Sequence, residues 1–192
     1  MKKIYNKKVV LSSLIMLGVF IFIDQFTKLW AVKHLQGQQA IPIIKDVFEL
    51  HYLEGGNTGA AWGLLSGRIN FFIITTIILM LIIIYLFFRI NRNLHRYEER
   101  TKRFIVLTRL VQFVIILILS GAAGNLIDRI RLNYVIDFLY FKLINFPIFN
   151  IADSYVTIAV IFMIILMFII KDEEFSIMFG TKKKETGVSD GK

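Results

Sequence analysis

The 192-residue sequence contains no cysteine, only two prolines and only three histidines. Without cysteine, the chain cannot form disulfides, thiolate metal sites or a cysteine nucleophile. No Gly-, Ser- or Pro-rich linker divides it, which predicts a single domain.

The residues needed by two common classes of hydrolase, zinc peptidases and serine hydrolases, are also absent. The histidines, His34, His51 and His95, show no pair at metal-ligand spacing, so neither a zinc peptidase site nor any other metal site is predicted. No Gly-x-Ser-x-Gly elbow is present. The remaining groups for acid–base chemistry are carboxylates, and no cofactor is implied.

Apolar residues dominate the composition. They make up 56% of the chain and the mean hydropathy is +0.65, which is typical of an integral membrane protein. A net charge of +9 could indicate nucleic acid, but at this hydropathy it favours basic loops on the cytoplasmic side of a membrane, and no nucleic-acid partner is predicted.

Four apolar runs are long enough to cross a bilayer as helices. They cover residues 9–32, 69–90, 104–127 and 152–170. The first follows a lysine-rich start, as in a signal peptide, but it is too long and contains polar Asp24 and Lys28. We therefore predict a retained first helix and a four-helix membrane protein.

The distribution of Lys and Arg predicts the orientation. These residues concentrate in segments 1–8 and 91–103 and after residue 170, which puts both termini in the cytoplasm. The loop 33–68 then lies outside, with a strand or short hairpin expected at 47–53. The polar tail, residues 171–192, is expected to be solvated or disordered.

Two aspartates close the most polar outer segment. Asp137 and Asp153 are flanked by apolar residues, a costly placement, and Pro147 between them indicates a loop that leaves the membrane surface and returns. If the third and fourth helices pack together, the carboxylates meet and titrate in two steps. One can then take a proton from water while the other binds a carbonyl, as in aspartic proteases. A position at the start of a helix favours a negative charge at Asp153.

Other polar residues have simpler interpretations. Asp24 and Lys28, four residues apart, share a helix face and predict a structural ion pair near the outer end of the first helix. Asn57 lies beside a glycine-rich turn, where by itself it carries little information. Arg109 lies near the cytoplasmic end of the third helix, where its side chain can reach lipid headgroups.

The segment from Gly121 to Arg129 is more specific. Gly121 and Gly124 permit close helix packing, while Asn125 and Asp128 project to one side of the helix and Arg129 follows. A helix end with a purely structural role rarely needs all three polar residues. We interpret them as part of a site or its support.

Two other functions remain open at this point. Intramembrane charges also mark transporters and proton-coupled channels, although here the polar residues gather on one side instead of lining a route across the membrane. The small-residue motif at Gly121 is equally compatible with an assembly protein that performs no chemistry.

Five blocks, in this order along residues 9–170, resemble those of a known family: residues 24–28, 57–63, 121–129, 135–138 and 149–153. They resemble the bacterial lipoprotein signal peptidases, or signal peptidase II. The resemblance implies an aspartic endopeptidase of the cytoplasmic (inner) membrane. Its domain spans residues 1–170, with four helices, an extracytoplasmic β-cradle within 33–68 and a short amphipathic helix over the active site.

The resemblance also implies the substrate and the site. The enzyme would be a monomer in membrane lipid that cuts prolipoproteins on the amino side of a diacylglyceryl-modified lipobox cysteine, and it would bind the inhibitor globomycin. By motif position, Asp137 and Asp153 form the catalytic dyad. The residues implied to bind substrate are Asn57, Gly59, Asn125, Arg129 and Asn150. Those implied to support the site are Asp24, Lys28, Gly121, Gly124 and Asp128.

Overall fold

The computed structural model describes residues 6–59, 65–96 and 101–180. It contains four long helices, as the hydropathy predicts. They are α1 (Lys7–Leu35), α2 (Ile69–Arg96), α3 (Lys102–Leu132) and α4 (Ile151–Ile169). Each is long and apolar enough to cross a membrane. The chain is therefore a multi-pass membrane protein.

Helix α3 lies at the centre of the bundle and packs against α1, α2 and α4. Its apolar side chains are mostly buried, whereas the other three helices expose most of theirs. This difference fits a bundle in lipid, where outward apolar side chains face hydrocarbon and association depends on close packing.

Two glycines on α3 permit that packing. A Cβ at Gly121 would overlap the carbonyl oxygen of Ala152 and the side chain of Val156, both on α4. A Cβ at Gly124 would overlap the carboxylate of Asp24 on α1. The absence of side chains at these two glycines therefore lets α4 and the Asp24 side chain of α1 approach α3 closely.

Helix α3 extends beyond its apolar run. The run was expected to end near residue 127, but the helix continues to Leu132, and Asn133 ends it in the left-handed conformation, with its N–H bonded to the Arg129 carbonyl. Polar side chains end a hydropathy signal without interrupting backbone hydrogen bonds. Asn125, Asp128 and Arg129 therefore stand on a rigid helix.

A small antiparallel sheet joins two strands that follow α1 to a third that follows α3. Its strands, in the order β1-β2-β3, are β1 (Ile41–Ile44), β2 (Phe48–Leu50) and β3 (Leu139–Phe141). Strand β2 confirms the strand predicted within 47–53. Its partner β3 was not predicted, because pairing between segments so distant in sequence leaves no local signal.

Pairing continues beyond β2 and β3. The His51 N–H donates to the Phe138 carbonyl (2.9 Å) and the Leu53 N–H to the Asp137 carbonyl (3.0 Å). Asn57 and Val135 exchange two backbone bonds of 2.9 Å each. The segment that carries Asp137 is thereby attached to the first outer loop.

The tail prediction is wrong for its first residues, because Asp172–Phe179 forms a fifth helix, α5. Three acidic residues in its first turn complement the helix dipole, and Met178 is fully buried against the bundle. Arg103 pairs with Glu174 at 3.0 Å. The polar composition of this segment gave no hydropathy signal for a helix. The helix is held by packing of its buried face against α2. Residues 181–192, and residues 60–64 with Trp62, lie outside the described residues.

Candidate active site

Asp137 is held by two side-chain amides. Asn57 Nδ2 donates to its Oδ2 at 2.9 Å, and Asn150 Nδ2 donates to its Oδ1 at 2.6 Å. The residue is 1% exposed. Burial, followed by the negative charge of Asp153, raises the pKa of Asp137 to about 7. This carboxyl can therefore hold a proton near neutral pH.

Asp153 lies in the first turn of α4, where it forms a capping box with Asn150. The Asp153 N–H donates to Asn150 Oδ1 (3.0 Å), and the Asn150 N–H donates to Asp153 Oδ2 (3.1 Å). The other carboxylate oxygen, Oδ1, accepts from Asn125 Nδ2 at 2.8 Å. Both oxygens of Asp153 thus face N–H donors that stabilise a carboxylate.

Asn150 connects the two carboxylates. Besides capping α4, its amide donates to Asp137 Oδ1 and lies 3.0 Å from Asn125 Oδ1 and 3.3 Å from the Ile136 carbonyl. The side chain is completely buried. The two aspartates, predicted to meet only if the helices packed, are thus joined through one residue. The Asn150 side chain bonds to the Asp137 carboxylate and to the backbone N–H of Asp153, and the Asn150 backbone N–H bonds to the Asp153 carboxylate.

A buried layer of charge lies beside this amide. Lys28 Nζ is 3.0 Å from Asp24 Oδ2, 3.0 Å from Asp128 Oδ2 and 2.9 Å from Asn125 Oδ1. All three charged side chains are at most 3% exposed. The predicted Asp24–Lys28 ion pair is present, and Asp128 joins it from α3.

The two acids of this layer also bind backbone next to the dyad. Asp24 Oδ1 accepts from the Ala152 N–H at 2.9 Å, and Asp128 Oδ2 accepts from the Ile136 N–H at 3.1 Å. Gln25 completes the layer with bonds to both acids and to the Gly124 carbonyl, at 3.0–3.2 Å. Sequence reasoning assigned Gln25 no role, although an amide inside an apolar helix was a usable signal.

Both aspartates open into one cleft of about 860 Å³. Its polar end includes every residue predicted to bind substrate except Asn150, which lies buried behind the dyad. Its apolar walls were not predicted. They are formed by Phe141, Ile144, Phe146, Pro147, Ile148, Phe149, Val156 and Ile158.

Arg129 borders the cleft. One guanidinium nitrogen, Nη2, donates to the Gly59 carbonyl at 3.2 Å, and the group lies 5.0 Å from the centre of the Phe72 ring. Its Nε is buried without a hydrogen-bond partner among the described residues. Arg109 takes no part in the site and bonds instead to Gln112 at 2.6 Å.

The arrangement supports proton transfer. It presents two carboxyl groups to one cleft, each oxygen of both groups accepts a hydrogen bond from an N–H donor, and the pKa of Asp137 is near neutrality. Within the described parts of the chain, no three His, Asp or Glu side chains are grouped so as to hold a metal ion.

Comparison with known proteins shows the family of this chain. Residues 16–169 match the family described as "Signal peptidase (SPase) II". The chain is 37% identical over 156 residues to the lipoprotein signal peptidase of Caldanaerobacter subterraneus subsp. tengcongensis, covering 81% of this chain and 94% of that protein. It is 41% identical over 166 residues to that of Clostridium tetani, covering 84% and 93%.

Solved structures show the same fold. One, described as a bacterial membrane enzyme at 2.3 Å resolution, has a TM-score of 0.67 and 31% identity, covering 96% of this chain and 98% of its own. A second, also a bacterial membrane enzyme, at 1.9 Å, has a TM-score of 0.64 and 32% identity, covering 90% and 99%. With a family match across most of its length, this chain belongs to the signal peptidase II family and is a membrane peptidase.

Proposed function

We propose that this chain is an aspartic endopeptidase that removes signal peptides from prolipoproteins, with Asp137 and Asp153 as its catalytic dyad. The observation that supports it best is the Asn150 side chain, which bonds to both aspartates where they open into one cleft. The relatives named lipoprotein signal peptidases support the substrate class.

In the proposed mechanism, Asp153 is the base and Asp137 the acid. Asp153 takes a proton from water as the water oxygen attacks the scissile carbonyl carbon, while protonated Asp137 gives its proton to the carbonyl oxygen. As the gem-diol collapses, Asp153 gives the proton it took from water to the amide nitrogen, Asp137 recovers a proton from a diol hydroxyl, and the C–N bond breaks. The raised pKa of Asp137 supports this assignment, as does the place of Asp153 in the first turn of α4, where the helix dipole favours a carboxylate.

We further propose that the scissile bond precedes a lipobox cysteine that carries diacylglycerol. The cleft supports this because its polar end adjoins apolar walls that suit acyl chains. Asn57, Gly59, Asn125 and Arg129 would contact the peptide at the polar end, while Asn150 holds the dyad from behind. The neighbouring sheet suits an extended peptide.

The topology belongs to the same proposal. Both termini lie in the cytoplasm and the cleft faces outward, because Lys and Arg concentrate in the segments that precede α1 and follow α2 and α4. Residues 1–170 form the peptidase domain, which acts as a monomer in lipid. Globomycin would occupy the cleft.

Matched substrates test the lipid requirement. The purified protein is given one lipobox peptide with and one without diacylglycerol on its cysteine. We expect kcat/KM to be about 100-fold or more higher for the lipidated peptide, because burying ~120 Å² of acyl surface contributes about 3 kcal/mol. Equal rates would contradict the lipid specificity. Failure of folded protein to cleave either peptide would contradict the peptidase proposal.

The rate of cleavage should depend on pH along a bell-shaped curve. Asp137 must be protonated, so kcat/KM should fall as the pH rises through about 7, the pKa of this carboxyl. At acid pH the rate should fall again as the base becomes protonated. Initial rates measured at constant ionic strength check this prediction, and a monotonic profile would indicate a different acid or base.

A further inference from the structure

We propose that Lys28 is a positioning residue for catalysis, whose ammonium fixes the side-chain amide of Asn125 so that it donates to Asp153. This inference rests on the proposed function. It assigns Lys28 a role beyond the ion pair that the spacing of Asp24 and Lys28 suggests.

The amide of Asn125 has two different ends. Its Oδ1 lies 2.9 Å from Lys28 Nζ and 3.0 Å from Asn150 Nδ2, and its Nδ2 lies 2.8 Å from Asp153 Oδ1. An ammonium only donates hydrogen bonds. A flipped amide would set NH₂ against the ammonium and an oxygen against the carboxylate, so Lys28 permits a single orientation.

Lys28 is itself held in place. Asp24 on α1 and Asp128 on α3 each lie 3.0 Å from its Nζ, and the lysine is 1% exposed. The same acids accept from the backbone N–H groups of Ala152 and Ile136, the residues immediately before Asp153 and Asp137. One buried cation therefore determines where both catalytic carboxyls lie relative to α1 and α3.

Other ionisable side chains interact with the cluster of Asp24, Lys28 and Asp128 and affect its pH dependence. The ionisable side chains that interact with it are Asp137, Asp153, Arg129, Tyr52 and Tyr155. The positive charge of Lys28 lowers the pKa of Asp137, against the larger effect of burial. Loss of that charge should therefore move the alkaline limb to higher pH.

The experiment compares pH–rate profiles of the full-length protein, with the lipidated lipobox peptide as substrate. Lys28→Met should lower kcat/KM by about 10- to 100-fold through loss of a charge-assisted hydrogen bond. Both limbs of the bell should move to higher pH, by about one unit. Lys28→Arg, which keeps the charge and the donors, should recover part of the rate and return the limbs toward wild type.

Gln25→Met is the matched control. It removes hydrogen bonds to Asp24, Asp128 and the Gly124 carbonyl from the same layer, but Gln25 does not touch Asn125. If Gln25 has only a structural role, Gln25→Met should lower the melting temperature and leave both limbs of the pH–rate profile at their wild-type pH. If a folded Lys28→Met protein behaves in that way too, the positioning role is overturned.

Lys28→Met leaves two buried acids without their cation. If this variant does not fold, the comparison is repeated with both acids, Asp24 and Asp128, changed to Asn. The triple variant Asp24→Asn/Lys28→Met/Asp128→Asn is then compared with the double variant Asp24→Asn/Asp128→Asn. The two proteins differ only at Lys28, and both keep oxygen acceptors for the backbone N–H groups. Identical limbs in these two proteins would overturn the inference. Failure of the proposed function is a separate result: wild type would not cleave, or the dyad variants would.

Discussion

Replacement of Asp153 by Asn is expected to lower the rate of peptide cleavage by about 10²–10⁴-fold, and replacement of Asp137 by Asn to do the same. Asn matches Asp in size, but it neither takes a proton from water nor supplies one to a carbonyl oxygen. Its amide oxygen can still accept one of the two hydrogen bonds that each carboxylate receives. The loss should therefore appear in catalysis with the fold preserved.

Thermal unfolding separates catalysis from folding. The pKa of Asp137 is raised to about 7 in the folded protein from its ordinary 3.8, so the native state holds a proton that the unfolded chain releases. The stability of wild type should consequently decrease as the pH rises from about 4 to about 7, and remain at its lower value above that. Asp137→Asn removes this ionisation and should melt no lower than wild type at about pH 8.

A surface aspartate provides the matched control for the dyad. The Asp46 side chain is 73% exposed and lies 4.0 Å from Lys142, so Asp46→Asn should leave cleavage unchanged. Cleavage at the wild-type rate by both Asp137→Asn and Asp153→Asn would exclude the proposed mechanism.

The second large effect concerns helix packing. Gly121→Leu should lower stability by about 1–3 kcal/mol and the cleavage rate by about 100-fold. The new side chain would overlap the Ala152 carbonyl, a backbone atom that cannot rotate away, and so would displace the start of α4. Asp153 lies one residue further along, and a shift of about 1 Å in a reacting group costs about 10²-fold in rate.

Gly18→Leu is the control for this substitution. A Cβ at Gly18 on α1 meets nothing within 4 Å, and leucine favours a helix more than glycine does. We expect this variant to fold and cleave as wild type does. Melting temperature in detergent and cleavage by the same preparations check both proteins, and equal behaviour of the two leucine variants would contradict the close contact.

Two functions that the sequence alone left open, a transporter and an assembly protein without chemistry, do not fit the peptidase family to which the chain belongs. Within a peptidase, the two sets of variants separate the dyad from helix packing. Both Asp→Asn changes should lower cleavage and preserve the fold, whereas Gly121→Leu should lower cleavage and stability together.

The local sequence was sufficient to predict the elements whose signal lies in contiguous residues. The four helices follow from apolar runs, since each must satisfy its own backbone hydrogen bonds in lipid. The strand at Phe48–Leu50 follows from its aromatic and apolar residues. The proposed dyad was predicted by exclusion, because no other acid–base groups were suitably placed, and from the cost of placing two aspartates among apolar residues.

Contacts distant in sequence gave no such signal. Nothing near Asp24 indicates that it accepts the Ala152 N–H, and nothing near Asn57 indicates a bond to Asp137. Helix α5 was hidden for a related reason: Asp172, Glu173 and Glu174 make its start polar, while burial of Met178 depends on the surface where it docks.

The sequence by itself determined the membrane class, the four spans and the family resemblance, and it predicted the two carboxylates of the proposed dyad, because hydropathy and motif order are properties of contiguous residues. Only the tertiary structure decided how those carboxylates are held. Asn150 joins them, Lys28 orients Asn125, and Asp24 and Asp128 bind the adjoining backbone. Hydrogen bonds and ion pairs act over about 3 Å, and only packing around α3 brings these segments that close.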